Sequence, residues 1–295
     1  MIDGFTRSRV ATNGIHLSVH RGGSGPALVL LHGYPQTHMA WNRVAPRLAT
    51  RFDVIVPDLR GYGDSDMPAN DPENCAYSKR EMARDITGLM DTLGLPRAHV
   101  IGHDRGARVA YRMALDHPAR IDRLGIVEIV PTGDFWAAWS ADLALKAYHW
   151  TFLAQPAPLP EALIAADGPG YIDRTLASWT RAGDLSAFAP EALESYRRQA
   201  ADPARVAAMC NDYRAGATID RRLDEVDGAA GRQIAAPLRF VWAQDGFPAR
   251  TGDPLGIWRR WAKDVTGAEI PGCGHFAMEE APEAFLAAML PHFEG

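Results

Sequence analysis

Five residues, Gly102-His103-Asp104-Arg105-Gly106, constrain this chain more than any other stretch. The apolar run Ala98-His99-Val100-Ile101 precedes them and reads as a strand. The run from Ala107 to His117 (ARVAYRMALDH) follows and reads as a helix. A strand that becomes a helix over so few residues brings two backbones nearly into contact, which glycine tolerates and larger residues do not. Whatever sits at the tip of such a turn is presented as a nucleophile. Here it is an aspartate, where a serine would be usual. Serine acylates by attacking a carbonyl, whereas a carboxylate can displace a leaving group from saturated carbon and form an alkyl ester. Water must then open that ester, so a base is needed elsewhere.

His275 is the candidate base. It lies in Gly272-Cys273-Gly274-His275-Phe276, after a short strand at Ala268-Glu269-Ile270 and before a helix opening between Glu279 and Pro282. The chain order of nucleophile, acid and histidine fits a hydrolytic triad. Two acids compete for the middle place. Glu128 ends the apolar run Leu124-Gly125-Ile126-Val127, and Asp245 follows the run Leu238 to Trp242, the commoner location when the nucleophile is serine. Glu128 is preferred here, with Asp245 left open.

Taken singly, an aspartate in a turn is usually an Asx-turn or a helix cap, and a histidine near a C-terminus is usually filler. Further markers raise both above that reading. His32-Gly33-Tyr34-Pro35 directly follows the strand Ala27 to Leu31. The amides of Gly33 and Tyr34, with that of Arg105, would make an oxyanion hole for ester hydrolysis. The glycine-rich loop Asp58 to Ser65 follows the strand Val54-Ile55-Val56 and is assigned no chemistry.

At 295 residues the chain can hold one large α/β core with an insertion. Strands alternate with helical stretches from about Ile15 to Val130, the pattern of a mostly parallel sheet. From Pro131 to roughly Ala235 there are helical periodicities and no strand, and strand character returns at Pro237. The expected architecture is therefore an α/β-hydrolase fold, with helices on both faces of the sheet and an inserted helical cap. The core would comprise residues 1–131 and 236–295, and the cap residues 132–235.

A net charge of −5 and the lack of a basic run exclude a nucleic-acid binder. The three cysteines (Cys75, Cys210, Cys273) form no metal or redox motif and fit a reducing cytosol. Residues Met1 to Val10 lack the apolar centre of a signal peptide, and no apolar run is long enough to span a bilayer. A soluble cytoplasmic protein, with no membrane partner, is expected.

Arg105 and Arg108 lie just past the elbow, and their forked guanidiniums suit a carboxylate near a helix N-terminus. The plainer reading is that either one pairs with a surface acid. The cap contributes Tyr148-His149-Trp150 and Asp212-Tyr213-Arg214. Donors converging from these runs would stabilise a departing halide, fluoride above all, although aromatic residues in a helix more often fill a core.

These residues carry a resemblance. The chain resembles the fluoroacetate dehalogenases (haloacetate dehalogenases) of the α/β-hydrolase superfamily nearly end to end. The similarity includes GHDRGARVAYRMALDHP at 102–118, KAYHWTFLAQPAPLPE at 146–161, LASWTRAGDLSAF at 176–188 and CNDYRAGA at 210–217. It implies Asp104 as nucleophile, His275 as base, Arg105 and Arg108 on the substrate carboxylate, and His149, Trp150 and Tyr213 on the halide. It further implies Trp179 along the substrate's access route, a small haloacid as the partner molecule, no cofactor or metal, and a homodimer. The family's acid is typically aspartate, so Glu128 is a departure that leaves Asp245 as a substitute. The expected reaction converts fluoroacetate to glycolate and fluoride.

Three rivals use the same features differently. An epoxide hydrolase would need cap tyrosines, for which Tyr148, Tyr196 and Tyr213 are candidates, but it has no use for paired arginines. A haloalkane dehalogenase typically carries tryptophan where Arg105 stands. A non-catalytic ligand receptor would leave the filled nucleophile, acid and base positions unexplained.

Overall fold

The computed structural model describes residues 1–294. Eight strands form one sheet: β1 (Thr6–Thr12), β2 (Ile15–Gly23), β3 (Ala27–Leu31), β4 (Asp53–Pro57), β5 (Ala98–His103), β6 (Ile121–Val127), β7 (Leu238–Ala243) and β8 (Val265–Ile270). Their order is β1-β2-β4-β3-β5-β6-β7-β8. From β4 to β8 every pairing is parallel, and β2 runs antiparallel to both β1 and β4. This is the mostly parallel α/β-hydrolase architecture expected.

The central strands explain their own placement. Leu28, Val29, Leu30 and Leu31 of β3 are all fully buried, as a strand covered by helices on both faces requires. The N-terminal hairpin is the part that pattern reading missed. β1 and β2 join through Asn13 and Gly14, with φ of 44° and 76°. Thr12 pairs with Ile15, so this is the two-residue turn that Asn-Gly favours.

Between β6 and β7 the chain is helical, from Thr132–Ala137 through Ile219–Ala229. Buried ionic contacts tie this segment to the core. Arg112 of helix Arg105–Asp116 meets Asp224 at 2.8 Å and also pairs with Asp227. The Tyr111 hydroxyl donates to Asp224 at 2.8 Å. The inserted helices thus sit over the end of the sheet where β3, β5 and β6 deliver their loops. Among the described residues, no helix is long and apolar enough to cross a membrane.

Candidate active site

The turn between β5 and helix Arg105–Asp116 sets the centre of the site. Asp104 has φ 47° and ψ −116°, a conformation that an L-residue adopts only under constraint. The glycines on either side allow it. A β-carbon on Gly102 would lie 2.5 Å from the Ala107 Cα, and one on Gly106 would overlap the carbonyl oxygens of Leu31 and His32. Strand, turn and helix are therefore in backbone contact.

The Asp104 carboxylate is held on one side only. Its Oδ1 accepts from the Tyr34 amide at 2.8 Å, while its Oδ2 lies 3.9 Å from His275 Nε2. Of the three amides expected to form an oxyanion hole, that of Tyr34 bonds the carboxylate. Those of Gly33 and Arg105 make no hydrogen bond to it. His275 Nε2 is buried without a hydrogen-bond partner. A ring nitrogen so placed can accept a proton from a molecule that enters between it and Asp104.

The opposite nitrogen of His275 meets Glu128: Nδ1 and Oε2 are 3.1 Å apart. Asp245 does not compete, because it is half exposed and pairs with Arg181. Its loop serves Glu128 instead. Glu128 accepts backbone hydrogen bonds from Ala243 and Phe247, and Gly246 has no β-carbon to crowd its carboxylate. Burial pushes the Glu128 carboxyl well above its ordinary range, and those two amides oppose the shift. Burial, followed by the nearby His103, Lys146 and Arg108, holds His275 well below the value of a free imidazole. His275 therefore rests unprotonated at neutral pH, as a base must.

The two arginines differ in a way the sequence did not reveal. Arg105 is fully buried and is gripped by Asp212: Nη2 donates to Oδ1 at 2.6 Å and Nε to Oδ2 at 3.1 Å. Lys79, also buried, pairs with the same carboxylate, and the Tyr62 hydroxyl donates to it at 2.8 Å. Burial alone would raise Asp212, but Arg105 and Lys79 hold it below the ordinary carboxylate range. Arg105 keeps one buried nitrogen, Nη1, without a partner. Arg108 has no acid within ion-pair distance among the described residues. Its Nη1 donates to the Val130 carbonyl at 3.1 Å and the Thr132 hydroxyl at 3.0 Å, and its Nε is unpartnered. Burial lowers its affinity for the proton, and the nearby Tyr111, Asp104 and Asp224 only partly oppose this.

The cap closes the site with aromatic residues. The His149 ring lies 4.4 Å from Trp179 and 5.5 Å from Tyr213, centroid to centroid. Trp150 lies beneath Arg108, with its ring centroid 4.5 Å from the guanidinium carbon. His149 Nδ1 and the Tyr213 hydroxyl are buried and unpartnered. Burial keeps Tyr213 protonated and His149 neutral, so the hydroxyl remains able to donate. Trp179 also reaches Tyr34, at 6.1 Å, and His275, at 5.5 Å. Tyr148 is exposed, and Tyr196 is bonded to Glu279 at 3.1 Å. A narrow cavity beside Asp104 is lined by Arg108, Phe135, His149, Trp150 and Phe247, and offers a water molecule's centre about 10 Å³.

Comparison with known proteins places the chain by fold and sequence. The model of the alpha/beta hydrolase fold matches residues 26–282. The chain belongs to the α/β-hydrolase family. Among curated proteins, this hydrolase is 42% identical to a fluoroacetate dehalogenase from a Burkholderia species, over 96% of its own length and 92% of the relative's. It is also 32% identical to a soluble epoxide hydrolase from a Corynebacterium species, over 98% and 97% of the two chains. Among solved structures, ALR0039 from a Nostoc species is 44% identical and superposes with a TM-score of 0.95, covering 99% of each chain. The relatives thus fix a hydrolase of this fold and include two reaction classes.

Proposed function

We propose that this hydrolase cleaves the carbon–halogen bond of a haloacetate, fluoroacetate foremost, by way of an ester on Asp104. One observation carries the reading: Arg108 is a buried cation with no acid in ion-pair contact among the described residues, facing the cavity beside Asp104. A buried cation without a direct ion pair is costly, and a substrate carboxylate would supply one. Arg105 Nη1 offers a second donor to the same guest.

In the first step Asp104 Oδ2 attacks the halogen-bearing carbon. The carbon–oxygen bond forms as the carbon–halogen bond breaks, and the halogen leaves with the bonding pair as halide. His149, Trp150 and Tyr213 would receive it. Trp150 and Tyr213 can donate through N–H and O–H, and a neutral His149 can donate through one ring N–H. In the second step His275 Nε2 takes a proton from water, whose oxygen adds to the Asp104 carboxyl carbon. The Tyr34 amide would steady the resulting oxyanion. Glu128 accepts the Nδ1–H and stabilises the transient imidazolium. Collapse expels the alkoxide, which takes the proton back from His275 and leaves as glycolate. Asp104, now protonated, releases its proton to solvent.

A second reading, epoxide hydrolysis, draws on the unpartnered Tyr213 hydroxyl. Of the cap tyrosines considered for it, Tyr148 is exposed and Tyr196 is engaged elsewhere, which leaves one proton donor and the cationic Arg108 without a use. The deciding test is halide release from fluoroacetate and from chloroacetate, with Asp104→Asn as control. Fluoride that vanishes in the variant supports the reading. Chloride alone restricts it to easier leaving groups. No halide from either acid, with turnover of an epoxide, overturns it.

A further inference from the structure

We propose that Glu280 is a positioning residue that locks the histidine loop to the cap segment 179–181, so that ester hydrolysis depends on this lock while alkylation does not. This rests on the Asp104 ester described above. The Glu280 carboxylate bonds on both sides of His275. Its Oε2 accepts from the Gly274 amide at 3.0 Å, and its Oε1 from the Phe276 amide at 2.9 Å. The same Oε2 accepts from the cap amide of Arg181 at 2.8 Å. The amide between the two, that of His275, donates to the carbonyl of Trp179 at 2.9 Å. Three consecutive amides of the base loop are therefore held by the cap segment 179–181 or by the carboxylate that also holds that segment. The two backbones touch: a β-carbon on Gly274 would lie 2.5 Å from the Arg181 nitrogen and 2.6 Å from the Trp179 oxygen. From beneath, His103 Nε2 donates to the His275 carbonyl at 2.9 Å.

Such bonds to a carboxylate are charge-assisted, and of the reacting groups they bear on the base. Asp104, Arg105, Arg108, His149 and Tyr213, which would perform the first step, make no hydrogen bond to Glu280. His275 Nε2 must be placed to within a fraction of an ångström to deprotonate water on the ester, and errors near 1 Å cost on the order of 100-fold. Loosening the clamp should therefore slow the second step selectively.

The test is rapid-quench kinetics on Glu280→Ala and Glu280→Gln with excess fluoroacetate, reading halide released and the fraction of protein carrying an ester by intact mass. The expected result for Glu280→Ala is a halide burst near one equivalent per site at the wild-type rate. Turnover after it should be slowed about tenfold or more, with the ester as the main species. Glu280→Gln, which keeps one acceptor oxygen, should fall between. A first turnover slowed as much as the steady state, with no ester, would mark a structural role and overturn the proposal, as would unchanged turnover. If the wild-type protein releases no halide, the substrate reading falls, and the clamp is then judged by hydrogen exchange. In Glu280→Ala the amides of Gly274, Phe276 and Arg181 should lose protection together. Loss at the loop with Arg181 still protected would contradict the coupling.

Discussion

The carboxylate of Glu128 occupies the space over Gly246, where a β-carbon would overlap both of its oxygens. The longer acid is thus accommodated by an absent side chain on the facing loop, and it still places Oε2 3.1 Å from His275 Nδ1. The two positions should be coupled. Gly246→Ala alone is expected to lower kcat by ~10²-fold or more through displacement of the acid. Glu128→Asp, one carbon shorter, should relieve the overlap, so the double variant Glu128→Asp/Gly246→Ala should outperform Gly246→Ala. Steady-state halide release from the four proteins checks this, and additive losses would contradict it.

The arginines should separate by stability. Arg105→Gln removes the bidentate partner of buried Asp212, which keeps only Lys79 and the Tyr62 hydroxyl, and should lower the thermal midpoint markedly. Arg108→Gln breaks no ion pair and should leave the fold intact. Its cost should appear in kcat/KM for a haloacetate, down roughly 10- to 100-fold for a lost charge-assisted bond. Calorimetry alongside kinetics on the two variants distinguishes these outcomes.

Much of the fold was readable locally, because β3 is a continuous apolar run, β5 and β7 are mostly apolar, and the elbow glycines flank Asp104. The first strand was not, although Asn13-Gly14 carried the signal for its hairpin. The site was readable as a set of residues but not as a network. Asp212 stands beside Tyr213 in the cap, yet its partners Lys79 and Arg105 are 133 and 107 residues away. No local pattern reports such a contact. A surplus of positive charge at the elbow was the sole hint that a buried acid must answer it. Pairing with a surface acid was considered for either arginine. Arg105 in fact pairs with a buried acid, and Arg108 with none.

Stability should fall on mild acidification. Burial, with His38 for His20 and burial alone first for His103, holds both imidazoles at about 4, below the ~6.5 of an unfolded chain. The unfolded state then binds more protons between these values, so stability is complete above about pH 6.5 and is lost as pH falls toward 4. His20 makes no side-chain hydrogen bond and stacks on His38 at 3.7 Å. His20→Gln should therefore flatten the slope of thermal midpoint against pH. An unchanged slope would mean that His20 does not titrate as its burial requires.

The central claim is that the substrate's carbon bonds to Asp104 before water acts. A single turnover of fluoroacetate in H₂¹⁸O, with enzyme in excess, tests it most directly. The account predicts one fluoride per active site, unlabelled glycolate, and ¹⁸O in the Asp104 carboxylate of the recovered peptide. Label in the first glycolate, with none in Asp104, would mean that water attacks the carbon directly and would contradict the account.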